Sequence, residues 1–441
     1  MKVYKDSKIY IQCTALLATG GPELMHQFAS YLISRGVETY MIYTDVSPDN
    51  VTVNASLRHY HIPYTHEIDD DEKNILIVSE IGTDMLYTAG ELKLRKVIWW
   101  LSVDNFYKKL STTYEDLATH TLSKRFTRCY SFEDDMEVEH WAQSEYAKRF
   151  LMYNGVPEEK IKKVSDYLNL IFLDGLIARN HYRDLSESKE DIVLFNPKKG
   201  IEFTEKLIAF APDIKWVPII NMSRMEVLNY LLKAKVYIDF GNHPGKDRIP
   251  REAAVSECVV ITGRRGAAAN AIDVPIDEKY KFDDTDDNIS LIIDKIRYVF
   301  QNYNSCKNDF DCYIESIFRE PLKFRQEVDA TLDLSDLVFN PTVCILDNTN
   351  DSMLKLAAFL GSTGKYKVEF VVNNTLNGQC LKFLDKELCF INVGYARQLY
   401  LEGRINKFMC TQMIQNNQEY YLNLLKNIGV DDVDWEINKI N

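Results

Sequence analysis

The sequence is short of glycine and proline, 18 and 12 in 441 residues, and it holds no low-complexity tract. That excludes collagen-like, fibrous and largely disordered chains. Its nine cysteines are odd in number and form no C-x-x-C pair, so neither a disulfide framework nor a structural zinc site is expected. No apolar run approaches the roughly 20 residues that cross a bilayer. Met1-Lys2-Val3-Tyr4-Lys5-Asp6 lacks the basic start and apolar stretch of a signal peptide. A cytoplasmic, reduced setting is the expectation. Basic excess is missing as well: 52 Lys and Arg stand against 65 Asp and Glu, a net charge of -13. Such a chain is a poor partner for nucleic acid, whose binding needs patches that neutralise phosphates. A local basic site for one small anion is still compatible with it.

What is present is the alternation of an α/β protein. Ile9 to Cys13 reads as a strand, Thr19-Gly20-Gly21-Pro22-Glu23 as a turn, and Leu24, Phe28, Tyr31 and Leu32 recur at helical spacing up to Gly36. Val37 to Tyr43 follows as a second strand, completing a βαβ unit of a parallel sheet. Further strands are expected at 74–78 and 96–101, and the rhythm restarts near residue 140 with a helix capped by Ser144. Strands at 191–195, 214–219, 236–240 and 258–262 make a second α/β half. The expected domains are 1–140, 141–330 and a small α/β appendage over 336–441 that carries no chemical motif. The acidic end around Asp431 to Glu436 reads as a solvated tail.

Chemistry is expected at strand ends. The Gly20-Gly21 turn lets a ligand approach backbone, with helix N–H groups behind it; it is not a G-x-G-x-x-G fingerprint, which disfavours a nicotinamide site. His26, beside Glu23, is more simply structural. Asp104, after Trp99-Trp100, lies where a carboxylate can orient or deprotonate a hydroxyl. The strongest constellation is His243-Pro244-Gly245-Lys246-Asp247-Arg248-Ile249-Pro250-Arg251-Glu252. Lys246, Arg248 and Arg251 concentrate positive charge, Pro250 suits a first helical turn with the N–H groups of Arg251 and Glu252 facing an anion, and Glu252 can take a hydroxyl pair such as a ribose. Lys199 and the loop from Gly263 to Gly266 supply two further strand-end turns suited to a diphosphate. Asp283 to Asp287 lacks the glycine and final Glu of a calcium loop, so no metal is assigned.

With these residues the sequence resembles a GT-B glycosyltransferase of the retaining, nucleotide-sugar-dependent type over roughly residues 8 to 325. Gln143 to Arg149, Asn154 to Pro157, Lys199-Gly200, Pro250 to Ala254, Cys258 to Ile261 and Gly263 to Gly266 carry the resemblance, with Gly20-Gly21 as the glycine-rich first turn of the acceptor half. It implies two Rossmann-like domains facing across a cleft and hexosyl transfer from a nucleoside diphosphate to a carbohydrate acceptor. No cofactor and no metal are required. Its habits imply a place in surface polysaccharide synthesis, with room for peripheral contact with membrane-bound assembly machinery. Lys199, Arg248, Arg251, Glu252, Gly263 and Gly266 would then hold the donor. The family commonly has two Glu in the 243–252 loop; Glu252 fits the second, and the first falls on Pro244. A frequent Arg before the Lys is Asn196 here. His243 stands near the missing Glu, so His243 and Asp104 are the expected catalytic groups. A silent GT-B-like binding module and an epimerase are the two other classes compatible with the sequence.

Overall fold

The computed structural model describes residues 1–88, 92–119, 129–169, 172, 189–337, 340–346, 354, 356–358, 360, 366–373, 376–383, 386–411 and 435–438. By contact the chain divides into two compact units: residues 8–25 and 40–332 with Met1, and residues 2–7, 26–39 and 333–441.

The first unit holds two sheets. The apolar runs read from the sequence become β1 (Lys8–Cys13), β2 (Glu38–Tyr43), β3 (Ile75–Ser79) and β4 (Arg95–Trp100), with helices α1 (Gly20–Ser34) and α2 (Val103–Thr119); residues 26–34 of α1 and 38–39 of β2 count with the second unit. They are followed by β5 (Glu139–Ala142), α3 (Glu145–Tyr153) and β6 (Ile161–Lys163), and the sheet order is β2-β1-β3-β4-β5-β6. β1, β3, β4, β5 and β6 pair in parallel. A domain boundary at 140 therefore falls inside β5, whose Trp141 pairs with Trp99 of β4. The short run Glu139–Ala142 completes the first sheet, because Trp99, Trp100 and Trp141 are all fully buried there. Ser144 caps α3 as expected, accepting the Ala147 N–H at 3.1 Å, and Gly36 takes the left-handed turn after α1 at φ 83°.

The second sheet is built from β7 (Glu190–Phe195), α4 (Ile201–Phe210), β8 (Lys215–Pro218), β9 (Ala234–Asp239), α5 (Arg248–Val255) and β10 (Val259–Thr262), in the order β10-β9-β7-β8 and all parallel. The long helix α6 (Asp311–Thr331) closes the unit and packs on α5. At the N-terminal edge of this sheet the Lys189 ammonium donates to the carbonyls of Leu231, Ala234 and Ser256 at 2.9, 2.9 and 2.6 Å. Burial lowers its pKa; the Leu231 and Ala234 carbonyls also accept from the weak Cys258 thiol donor at 3.1 and 3.2 Å. Lys189→Met is expected to destabilise the fold by about 1–3 kcal/mol, since the Ser256 carbonyl loses its donor and those of Leu231 and Ala234 keep only a thiol; a denaturation midpoint equal to wild type would refute this.

The second unit has its own sheet, in the order β13-β14-β12-β11-β15-β16. Its strands are β11 (Thr342–Leu346), β12 (Lys367–Val372), β13 (Cys380–Phe383), β14 (Lys386–Ile391), β15 (Lys407–Thr411) and β16 (Trp435–Asn438), with α7 (Val393–Leu401) after β14. Val343, Ile345, Val371, Phe390 and Met409 form its core. Trp435 and Glu436, expected in a solvated tail, instead pair in β16 with Phe408 and Met409; Asp431 to Asp434 lie outside the described residues. Cys13, Cys129, Cys258, Cys306, Cys312, Cys344, Cys380 and Cys389 are free thiols.

Candidate active site

In parallel sheets, ligands collect at the carboxyl ends of the strands. Here the strand ends of both sheets in the first unit frame one cavity of about 490 Å³. The first sheet contributes Gln12 and Cys13 ending β1 with Thr14 after it, Gly20 and Gly21 opening α1, Ser79 ending β3 with Glu80 after it, and Leu101, Ser102 and Asn105 after β4. The second contributes Asn196 and Lys199 after β7, Asp239 ending β9, and the loop from Pro244 to Pro250.

Glycines allow these loops to close on each other. Gly200 has φ 60°, and a Cβ there would sit 2.5 Å from the Phe240 carbonyl carbon. A side chain at Gly245 would meet the Leu101 carbonyl oxygen at 2.3 Å, and the Val103 N–H donates to the Pro244 carbonyl at 3.0 Å. The 244–250 loop thus rests directly on the end of β4.

The cations are all paired. The Lys199 ammonium lies 2.7 Å from Asp247. Arg248 spans Glu23 at 2.7 Å and Glu252 at 3.0 Å, and Glu23 also accepts from Asn169. Lys246 lies 2.7 Å from Glu320 and 3.6 Å from Asp166. Arg251 reaches the same two acids, Asp166 at 2.6 Å and Glu320 at 2.7 Å. Burial works against its charge, but the two carboxylates outweigh this and raise its pKa further.

The sequence-derived residues separate accordingly. Gly20, Gly21, Lys199 and Arg248 line the cavity. Arg251 does not: it is 1% exposed and turned into its ion pairs, so its charge serves the scaffold. Glu252 is buried one turn inside α5 and engaged by Arg248. Because α5 starts at Arg248, the N–H groups without helical partners are those around Arg248 and Ile249, rather than those of Arg251 and Glu252. Gly263 and Gly266 pack against the backbone of Phe240 and His243, away from the cavity lining. Asp104 is engaged with the Tyr146 hydroxyl, and its neighbour Asn105 faces the cavity instead.

His243 is fully buried beneath the loop. Its Nδ1 lies 3.1 Å from Asp247 and its Nε2 3.5 Å from Asp239, both off hydrogen-bond alignment, so the attraction is that of an ion pair. Burial pulls its pKa down, but Asp247 and Asp239 outweigh that and Lys199 opposes them, leaving it raised above the ordinary 6.5. Among the described residues, Asp239, His243 and Asp247 are the one set whose ligand atoms lie within 4.8 Å of one another. A carboxylate at each ring nitrogen is an imidazolium's arrangement, and Lys199 already neutralises Asp247.

Sequence reasoning passed over Glu80, which directly follows β3 and could have been found by the strand-end rule alone. It passed over Asp166 and Glu320 too, and weighed Glu23 only beside His26; their partners at Arg251 and Arg248 lie 85, 69 and 225 residues away.

No family model and no curated protein matches the sequence. Among solved structures the chain is similar to HepE of Anabaena in complex with UDP, with a TM-score of 0.50 and 11% identity over 75% of this chain and 100% of that one. It is also similar to sucrose-phosphate synthase of Thermosynechococcus elongatus, with a TM-score of 0.51 and 10% identity over 74% and 98%. The chain has the fold of the GT-B glycosyltransferases, with two Rossmann-like halves.

Proposed function

We propose that this GT-B chain transfers a hexosyl group from a nucleoside-diphosphate sugar to a carbohydrate hydroxyl, in the cytoplasm and in the service of surface polysaccharide assembly. The observation that carries the reading is one cavity with two unlike walls. The 199 and 244–250 loops bring the Lys199 and Arg248 side chains and the start of α5 to one wall, and the opposite wall presents neutral and acidic oxygen groups. The fold supports the reading, and HepE, which shares it, was solved with UDP. Among the described residues no helix is long and apolar enough to cross a membrane.

The diphosphate would meet the unpaired N–H groups at the start of α5, with Lys199 and Arg248 turning from Asp247 and Glu23 toward its oxygens. Charge building on the leaving diphosphate would be stabilised there in a site closed to water. Binding UDP by calorimetry tests this. Lys199→Ala is expected to weaken UDP about ten-fold or more, the loss of one charge-assisted hydrogen bond. Equal affinity in the variant removes Lys199 from the donor site. The paired state of every cavity cation also suits a silent binding module; release of UDP from UDP-sugars by the wild type decides between the two.

A further inference from the structure

Two cysteines of the second unit face each other across an antiparallel ladder. β13 and β14 run antiparallel at one edge of its sheet, with Cys380 directly opposite Cys389. Phe390 turns both of its backbone groups toward β13: its N–H donates to the Gln379 carbonyl at 2.9 Å, and its carbonyl accepts the Gly378 N–H at 3.0 Å. These directions alternate along a strand, so Cys389 turns its own groups the other way, toward β12, where it pairs with Phe370. Cys380 and Cys389 are therefore a non-hydrogen-bonded pair, the kind with Cα atoms about 4.5 Å apart and side chains closest. A disulfide spans Cα separations of about 4.4–6.8 Å.

The two thiols differ in access: Cys380 is exposed and Cys389 half-buried. A cysteine kept for packing is buried, as is Cys344, which stands in the same row two strands further in. Packing does not explain an exposed Cys380. A zinc site needs further ligands, and among the described residues the one cluster of three candidate ligands is Asp239, His243 and Asp247.

We propose that Cys380 and Cys389 form a site of reversible oxidation, at which a soluble disulfide such as oxidised glutathione closes a bond that clasps the edge hairpin. The Cys380 thiolate attacks one sulfur of the oxidant, whose S–S bond breaks as one glutathione thiolate leaves. Cys389 gives its proton to water, and its thiolate attacks the Cys380 sulfur of the mixed disulfide. The second glutathione thiolate then leaves. Two cysteine thiols lose two electrons and two protons, and one glutathione disulfide becomes two thiols.

Burial, then the Cys380 thiol beside it, then Glu387 and Glu369 push the Cys389 thiol up to about 12. Cys389 thus rests protonated, and the exposed Cys380 meets the oxidant first. Capping Cys380 removes that neighbour's share of the shift and frees Cys389 to resolve the mixed disulfide. An edge strand is a template on which another chain can pair. The bond holds β13 to β14 in its own register.

The test treats the full chain with oxidised glutathione, blocks the remaining thiols and digests with trypsin. Lys382 and Lys386 lie between the two cysteines, so cleavage places them in separate peptides, 368–382 and 387–397, each with one cysteine. Mass spectrometry is expected to recover these two joined by a disulfide, and dithiothreitol to separate them. Amide exchange along β13 is expected to slow about ten-fold or more in the oxidised chain. Cys389→Ser should leave Cys380 carrying glutathione, with no joined peptide. A wild type that stops at glutathione on Cys380, joins Cys380 to a second chain or keeps both thiols free overturns the proposal. Joined peptides with unchanged exchange overturn the clasp.

Discussion

Arg251→Ala lowers the unfolding free energy by about 3–5 kcal/mol, the expected cost of stripping one partner from a buried charge cluster. Arg251 and Lys246 face Asp166 and Glu320, and the first, third and fourth of these are nearly fully buried. The guanidinium also donates to the carbonyls of Asp247 and Lys246 at 3.1 Å each, so one side chain holds the middle of the loop. Without it, Lys246 stands alone against two carboxylates, and Asp166 Oδ1 already lacks a hydrogen-bond partner. Replacing Glu320 with Gln as well should cost less than the sum of the single changes, because one stranded charge disappears with it. Chemical denaturation measures all three variants. An unchanged midpoint with lowered UDP affinity would return Arg251 to the ligand site.

The second large effect is a pH dependence centred on His243. Its folded pKa is raised above 6.5. The folded state therefore holds a proton more tightly than the unfolded chain does. That stabilisation is complete below 6.5 and is lost as pH rises through the folded value. Asp247 is shifted the other way: burial would raise its pKa, but His243 and Lys199 hold it below 3.8. Its contribution is present above 3.8 and lost as pH falls through the folded value. Glu80 adds a slope of the same sign as His243. Its carboxyl keeps a proton up to about 7, whereas the unfolded chain loses it near the ordinary 4.5, so stability falls as pH rises between the two. His243→Ala is expected to cost about 3 kcal/mol at pH 6 and much less at pH 9, and Glu80→Gln separates the two slopes. Imidazole nitrogen shifts of a neutral ring at pH 6 would refute the assignment.

The strands were legible because their apolar runs are bounded by glycine, proline or acidic turns, as in Ile9–Cys13 and Cys258–Thr262. β5 was less so, since four residues carry too little periodicity to say which sheet they join. The site was half legible. Gly20, Gly21, Lys199 and Arg248 stand on strand-end turns, and the turn chemistry places them. His243 and Arg251 sit four residues before and four after Asp247, close enough to look like the same site. What sends Arg251 inward is a pair of carboxylates from distant segments, Asp166 and Glu320, and no local pattern shows those partners; His243 is drawn in between Asp239 and Asp247, each four residues away. Glu80 was hidden for the opposite reason: a lone acid after a strand has no motif at all.

Every cation around the cavity holds a tethered carboxylate of its own. On the proposed reading, entry of a phosphate ligand is therefore an exchange of anions rather than the filling of a positive hole. The incoming group wins only by offering better geometry than Asp247 or Glu23, together with the N–H groups at the start of α5. A bare phosphate has little to add to that contest, whereas a nucleotide brings base and ribose contacts that do not depend on charge. Such a site discriminates by shape among anions of equal charge, and its affinity should change little with ionic strength.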